Sequence, residues 1–255
     1  MRIGFAGAGN MAGAIARGWA AGEGGPDAML FCDLDRDRAA ALAAEVSGET
    51  RDSLAELASD CDVVVLAVKP GALDEVAKEL DGEPAALLSV VAATPVARLQ
   101  EAFEGVPVMR VMPNQPVEVR RGVLCVVPPE GMPEELKARL VELLARLGKV
   151  VPLPEPQIDA AMAVMSSSPA YVALVAEALA KAGEREGLRP ELAAELVAET
   201  LAGTAELLVV REPAAIRQAV ASPGGATEAG LEALERGGLE VALSDAVRAS
   251  LERFR

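Results

Sequence analysis

The chain has 255 residues, no histidine, six aromatic residues (Trp19, Tyr171 and four phenylalanines) and a formal charge of −15. The missing histidine excludes a Ser-His-Asp or Cys-His nucleophile, a histidine general base and a His-ligated zinc. The shortage of aromatic rings and the acidic balance argue against base stacking and phosphate-backbone binding, so no nucleic-acid partner is expected.

Half of the residues are apolar and alanine alone fills 50 positions, enough core for one large domain or two modest ones. Cys32, Cys61 and Cys125 are odd in number, widely spaced and free of any Cys-x-x-Cys pair. They read as reduced thiols of a cytoplasmic protein, with neither a disulfide framework nor a metal site. The first residues carry one positive charge and a short apolar run before glycine-rich sequence, unlike a signal peptide. Residues 85–93 read as the longest uncharged apolar stretch, too short to span a bilayer, so no membrane partner is expected.

In chain order, apolar β-branched runs predict strands over 2–6, 28–32, 62–68, 85–91, 106–111, 122–127 and 149–153. Helical periodicity between them predicts helices over 11–21, 36–46, 72–80, 95–103 and 134–147. Strand and helix alternating at this spacing predict a parallel sheet with crossover helices. Beyond Pro152-Leu153-Pro154-Glu155-Pro156 the chain is rich in Ala, Leu and Glu and shows no strand. Helices are expected from Ser168-Pro169 to Glu186, stopping at Gly187, and over 190–210, 213–220, 227–236 and 239–254. The fold class is therefore α/β: an N-terminal Rossmann-type domain over 1–154, then an all-α domain over 155–255. Leu174, Val175, Leu179, Leu196, Val197, Leu201, Leu207 and Leu208 supply more apolar surface than one face of a small helical domain needs. A homodimer interface accounts for that excess; a monomeric core with small outer residues is the other reading.

Gly7-Ala8-Gly9-Asn10-Met11-Ala12 lies between the first strand and first helix, the place of the G-x-G-x-x-G/A dinucleotide loop. Gly7 makes the turn, Gly9 lets backbone approach a pyrophosphate, and Ala12 lets helix and strand pack closely. The N–H groups of the helix start then hold the phosphates. Asp33 stands twenty residues after Gly13, where an acid bonds the adenosine ribose of NAD; an N-cap of the next helix is the alternative. Arg36 and Arg38 follow and could meet the 2′-phosphate of NADP, which leaves cofactor choice open. Val68-Lys69-Pro70 and Met112-Pro113-Asn114 end strands on the same sheet edge, where ligands of parallel sheets bind. Ser222-Pro223-Gly224-Gly225-Ala226-Thr227 joins two helices and reads equally as a tight turn or as an anion cradle with one hydroxyl.

Taken together, Ile3 to Met11, Ala67-Val68-Lys69-Pro70, Arg110-Val111-Met112-Pro113-Asn114, Ser167-Ser168-Pro169-Ala170-Tyr171 and Ser222 to Thr227 leading to Leu234-Glu235 resemble pyrroline-5-carboxylate reductase along nearly the whole chain. The first two motifs also look like other NADP-linked dehydrogenases, whereas the last is the family's own signature. The resemblance implies reduction of the small cyclic imine 1-pyrroline-5-carboxylate to L-proline with NADP or NAD in reduced form. It implies cofactor contacts from Gly7, Gly9, Asn10, Met11, Ala12, Asp33, Arg36, Val68, Lys69, Pro70 and Asn114. Substrate contacts would come from Ser222, Gly224, Gly225, Ala226 and Thr227, the N–H groups of 224–226 holding the carboxylate and the Thr227 hydroxyl, the catalytic group, meeting the ring nitrogen. It also implies a loop that meets the nicotinamide at a dimer interface, and dimers that assemble into rings. Ala12, Gln115 and the pair Met165-Ser166 depart from the residues usual in the family. Asp33 replaces a Ser/Thr-rich loop and tilts the chain toward NAD. Two other readings stand beside this one. A 3-hydroxyacid dehydrogenase would need a catalytic lysine on the bridging helix, where this chain has Met162, Met165 and Ser167, the next lysine along the chain being Lys181. A non-catalytic nucleotide-binding protein is the other.

Overall fold

Alternation along the first strands places successive side chains on opposite faces of one sheet. Ile3, Phe5, Val63 and Val65 enter the core on one side, and Ala6, Val64 and Leu66 enter the core on the other. A sheet buried on both faces must be covered by helices on both, and that is the architecture of the first of two compact units, Met1–Ser167. The computed structural model describes residues 1–80 and 84–253.

The strands are β1 (Arg2–Ala6), β2 (Ala28–Cys32), β3 (Glu49–Thr50), β4 (Val63–Leu66), β5 (Ala86–Ser89), β6 (Val108–Pro113), β7 (Gly122–Val127) and β8 (Gly148–Pro152). Their spatial order is β3-β2-β1-β4-β5-β6-β7-β8. The helices are α1 (Asn10–Ala20), α2 (Arg36–Glu45), α3 (Leu54–Asp60), α4 (Leu73–Glu79), α5 (Val96–Ala102), α6 (Glu134–Ala145) and α7 (Ile158–Met165). The order reverses at β1 and β4, so their carboxyl ends flank the crevice where such sheets take ligands. Three of the few aromatic rings pack together beneath it. Phe5 stacks on Phe31 at 4.9 Å and lies 6.0 Å from Trp19, whose indole N–H donates to the Leu143 carbonyl at 2.9 Å.

The sheet departs from the all-parallel expectation at one seam. β6 and β7 are antiparallel, while β7 and β8 are parallel to each other. The reason is length: the link across 114–121 holds only a 3-10 turn, Gln115–Val119, and a parallel return needs a dozen or more residues. Met112 and Pro113, expected to follow a strand, belong to β6 itself. Three elements appear that the sequence reading lacks. β3 is two residues long; α3 opens on Ser53, whose hydroxyl accepts the Glu56 N–H at 3.2 Å; and α7 packs Ile158 and Met162 beside Met112 and Cys125.

The second unit, Ser168–Arg253, consists of α8 (Ser168–Arg185), α9 (Pro190–Val210), α10 (Pro213–Val220), α11 (Ala226–Arg236) and α12 (Leu239–Glu252). The expected end of the last helix at Phe254 lies outside the described residues. α8 stops at Gly187, as expected. Gly187 donates to the Glu184 carbonyl at 3.0 Å and Leu188 to Gly183 at 3.1 Å, the paired bonds of a Schellman ending. Within this unit Ala193 is the only buried residue among those described. Leu174, Leu179 and Leu208 are 65%, 51% and 49% exposed.

The expectation that 85–93 is the longest uncharged apolar run is corrected. The helical stretch Glu155–Arg185 is, by length and composition, long and apolar enough to cross a membrane. Ser166-Ser167-Ser168-Pro169 interrupts its apolar residues and hides it from a reading of uniform runs. All three cysteines are free thiols. Burial pushes the Cys61 thiol up to about 11 and raises Cys32 and Cys125 as well, so they stay protonated.

Candidate functional site

The glycine loop follows β1 at the crevice. Gly7 has φ +98, and a Cβ there would lie 2.7 Å from the Ala67 carbonyl, so only glycine fits beside β4. Its N–H donates to the Cys32 carbonyl at 2.8 Å, tying the loop to β2. Gly9 is the N-cap of α1, without a side-chain cap and with no acid in the first turn. The first N–H groups of this helix therefore have no intrahelical acceptor and present its positive end. A Cβ on Gly9 would meet nothing within 4 Å; the open space there is what a pyrophosphate cradled by backbone requires. Ala12 is fully buried, as close helix–strand packing requires. A cleft of about 510 Å³ beside the loop is lined by Ala8, Gly9, Asn10, Gly13, Arg17 and Arg38 among others. These features fit a dinucleotide.

Asp33 has a different local job from the helix cap considered for it. Its carboxylate accepts the Ala8 N–H at 2.7 Å and the Asp35 N–H at 2.8 Å, so it braces the glycine loop from the end of β2. The cap of α2 is Asp35, which accepts the Arg38 N–H at 3.1 Å. Arg38 is held between these acids, 2.9 Å from Asp35 and 3.7 Å from Asp33. Arg36 is exposed and pairs with Asp52 at 3.4 Å. Val68 is half-buried after β4; Lys69 and Pro70 are exposed and lead into a 3-10 turn, Pro70–Ala72.

Asn114 is buried at the end of β6 with both ends of its carboxamide engaged. Its Nδ2 donates to the Met165 carbonyl at 3.1 Å, and its Oδ1 accepts the Val123 N–H at 2.8 Å. Ser166 adds a bond from its hydroxyl to the Pro113 carbonyl at 3.3 Å. The departure Met165-Ser166 thus sits directly against the Pro113-Asn114 corner.

Sequence reasoning missed the buried polar group nearby. Arg110, 3% exposed at the centre of β6, pairs with Glu155 at 2.7 Å. The same Glu155 oxygen accepts the Val96 N–H, at the start of α5, at 2.7 Å. Arg110 Nε has no hydrogen-bond partner among the described residues. The signal was available: an arginine inside Val-Met-Arg-Val-Met must find a buried counter-charge.

In the second unit, Gly224 takes φ +72 and the Gly225 N–H closes a turn onto the Ser222 carbonyl at 2.9 Å. α11 then starts at Ala226 with Gly225 as its N-cap. Its first N–H groups, Ala226 and Thr227 included, lack intrahelical acceptors. Thr227 is exposed. The Gly224 N–H is already engaged, donating to the Glu228 carboxylate at 2.6 Å.

Two families match parts of the chain: NADP oxidoreductase, coenzyme F420-dependent, over residues 2–93, and pyrroline-5-carboxylate reductase dimerisation over residues 155–255. The pyrroline-5-carboxylate reductase of Pseudomonas aeruginosa is 37% identical over 261 residues, covering 99% of this chain and 95% of its own. Among solved structures, 1-pyrroline-5-carboxylate reductase from Streptococcus pyogenes matches with a TM-score of 0.89 at 30% identity, over 100% of this chain and 98% of that one. The Plasmodium falciparum pyrroline carboxylate reductase with NADP bound matches with a TM-score of 0.86 at 26% identity, over 100% and 97%. With likeness at this level along both units, the chain belongs to the pyrroline-5-carboxylate reductase family.

Proposed function

We propose that the chain reduces 1-pyrroline-5-carboxylate to L-proline, the final step of proline synthesis, with NADH or NADPH as donor. The observation that carries this reading is full-length likeness to reductases of that name in a chain that keeps both the glycine loop and the Ser222–Thr227 loop. The bound dinucleotide supplies the hydride. Gly7, Gly9, Asn10, Met11 and Ala12 hold its phosphates, with Asp33, Arg36, Val68, Lys69, Pro70 and the Asn114 corner around them. The domain division of labour is cofactor binding in 1–154, and substrate binding and association in 155–255.

The substrate nitrogen is protonated before transfer, so addition of hydride to the ring carbon sends the C=N pair onto nitrogen and leaves a secondary amine. The protein therefore has mainly to orient an electrophile already formed. The N–H groups of Gly224, Gly225 and Ala226, bordered by Ser222, seat the carboxylate; the free start of α11 supports this role. The Thr227 hydroxyl bonds the ring nitrogen and fixes its orientation. Identification of L-proline as the product, with either cofactor, tests the reading; a different amine or no product overturns it. A 3-hydroxyacid dehydrogenase is disfavoured because 158–167 holds no lysine.

Asp33 places a negative charge where a 2′-phosphate would come, and Asp33 and Asp35 already occupy Arg38, which supports a tilt toward NADH. Asp33→Ser is expected to lower kcat/KM with both cofactors, since Ala8 loses its acceptor, but to raise the NADPH-to-NADH ratio about three- to thirtyfold. An unchanged ratio would leave Asp33 as a loop brace only.

The second unit cannot stand as its own core with one buried alanine and a row of exposed leucines. Association of copies through this unit covers them, as a homodimer that can extend to rings. Sedimentation should give a dimer or larger species, with a Tm that rises with protein concentration; a stable monomer contradicts it. Three free thiols, Cys32 and Cys125 buried and Cys61 partly so, support a reducing, cytoplasmic location.

A further inference from the structure

The Gly224 N–H belongs to the proposed carboxylate seat, yet it already binds a carboxylate. Glu228 Oε2 accepts from it at 2.6 Å, reaching back one turn from the first turn of α11. The neighbouring Gly225 N–H is held by the Ser222 carbonyl at 2.9 Å. So of the three N–H groups assigned to the substrate, only that of Ala226 stands outside these bonds. Glu228 is exposed and forms no ion pair among the described residues, so the loop N–H and the helix start are what face its charge.

We infer that Glu228 is an internal competitor for the substrate carboxylate and sets the affinity of the site; this rests on the reading of Ser222–Thr227 as the substrate loop. Two carboxylates cannot share one N–H without repulsion. The substrate must therefore displace Glu228, which swings into water, and its apparent affinity is reduced by the fraction of loops that Glu228 occupies.

The test uses Glu228→Gln, which keeps the side-chain length and removes the charge, and Glu228→Ala, which removes the bond. L-Proline binding is followed by calorimetry on protein saturated with the oxidised cofactor, alongside L-prolinamide, which lacks the carboxylate. Both variants should bind L-proline about three- to thirtyfold more tightly, the range for one exposed charge-assisted bond. KM for the imine should fall by a similar factor, kcat should stay within about twofold, and prolinamide affinity should not rise. Unchanged or weaker L-proline binding in Glu228→Gln overturns the inference. Weaker binding in Glu228→Ala also overturns it, making the residue a loop anchor. If the unsubstituted protein neither binds L-proline nor turns over the imine, it is the underlying substrate reading that fails.

Discussion

Glu155→Ala should destabilise the first unit by about 1–3 kcal/mol, the cost of leaving the buried Arg110 cation without its acid, moderated because Glu155 is itself 33% exposed and water can reach the vacated place. Arg110 is 3% exposed and would keep its charge with no acid beside it. The Val96 N–H would lose its acceptor at the start of α5 in the same step. For a chain of this size the loss corresponds to a Tm lower by roughly 2–12 °C. The double substitution Arg110→Met with Glu155→Leu separates the charge from the packing. Replacing both partners by apolar groups is often neutral, so the double variant should recover the part of the loss owed to the unpaired Arg110 charge, while the Val96 N–H stays without its acceptor. A double variant as unstable as the single one would show that the site depends on shape, and that the pair is not the cause.

Thr227→Ala should lower kcat/KM about ten- to a thousandfold, the loss of one hydrogen bond to the reacting ring together with part of its orientation. Threonine is a poor acid, so orientation carries more of this effect than proton transfer. Thr227→Ser keeps the hydroxyl and should restore most of the rate, whereas Thr227→Val keeps the shape and should not. The exposed position of Thr227 in the first turn of α11 makes a folding defect a poor explanation for a loss confined to catalysis. Kinetics unchanged in Thr227→Ala would remove the residue from the reaction.

What the sequence made legible follows from how each signal is encoded. β1, β2 and the glycine loop announce themselves through local composition, and the end of α8 through Gly187. Other features depend on partners far along the chain. β3 pairs only Glu49 with Leu30 and Thr50 with Phe31, and two exposed polar residues carry no strand pattern. α3 is seven residues long, too short to show a period, although Ser53-Leu54-Ala55-Glu56 has the spacing of a capping box. The reversed β7 could have been inferred from the short link across 114–121 alone. Asp33 was legible as an acid at the right distance, but its bonds to Ala8 and Asp35 depend on the shape of the closed loop. Glu228 was hidden for the same reason. Its reach to Gly224 exists only once Gly224 adopts φ +72 and α11 has formed.

The missing histidine fits this chemistry. An imine that gains its proton from water would need a hydride donor, which a bound dinucleotide would supply, together with a set of N–H groups and one hydroxyl, which this chain has without an imidazole. The most direct measurement is the steady-state oxidation of NADH and of NADPH by the purified protein, with and without 1-pyrroline-5-carboxylate. Oxidation should depend on the imine with at least one cofactor and saturate with imine concentration. An absence of imine-dependent oxidation with both cofactors would rule out the reductase reading.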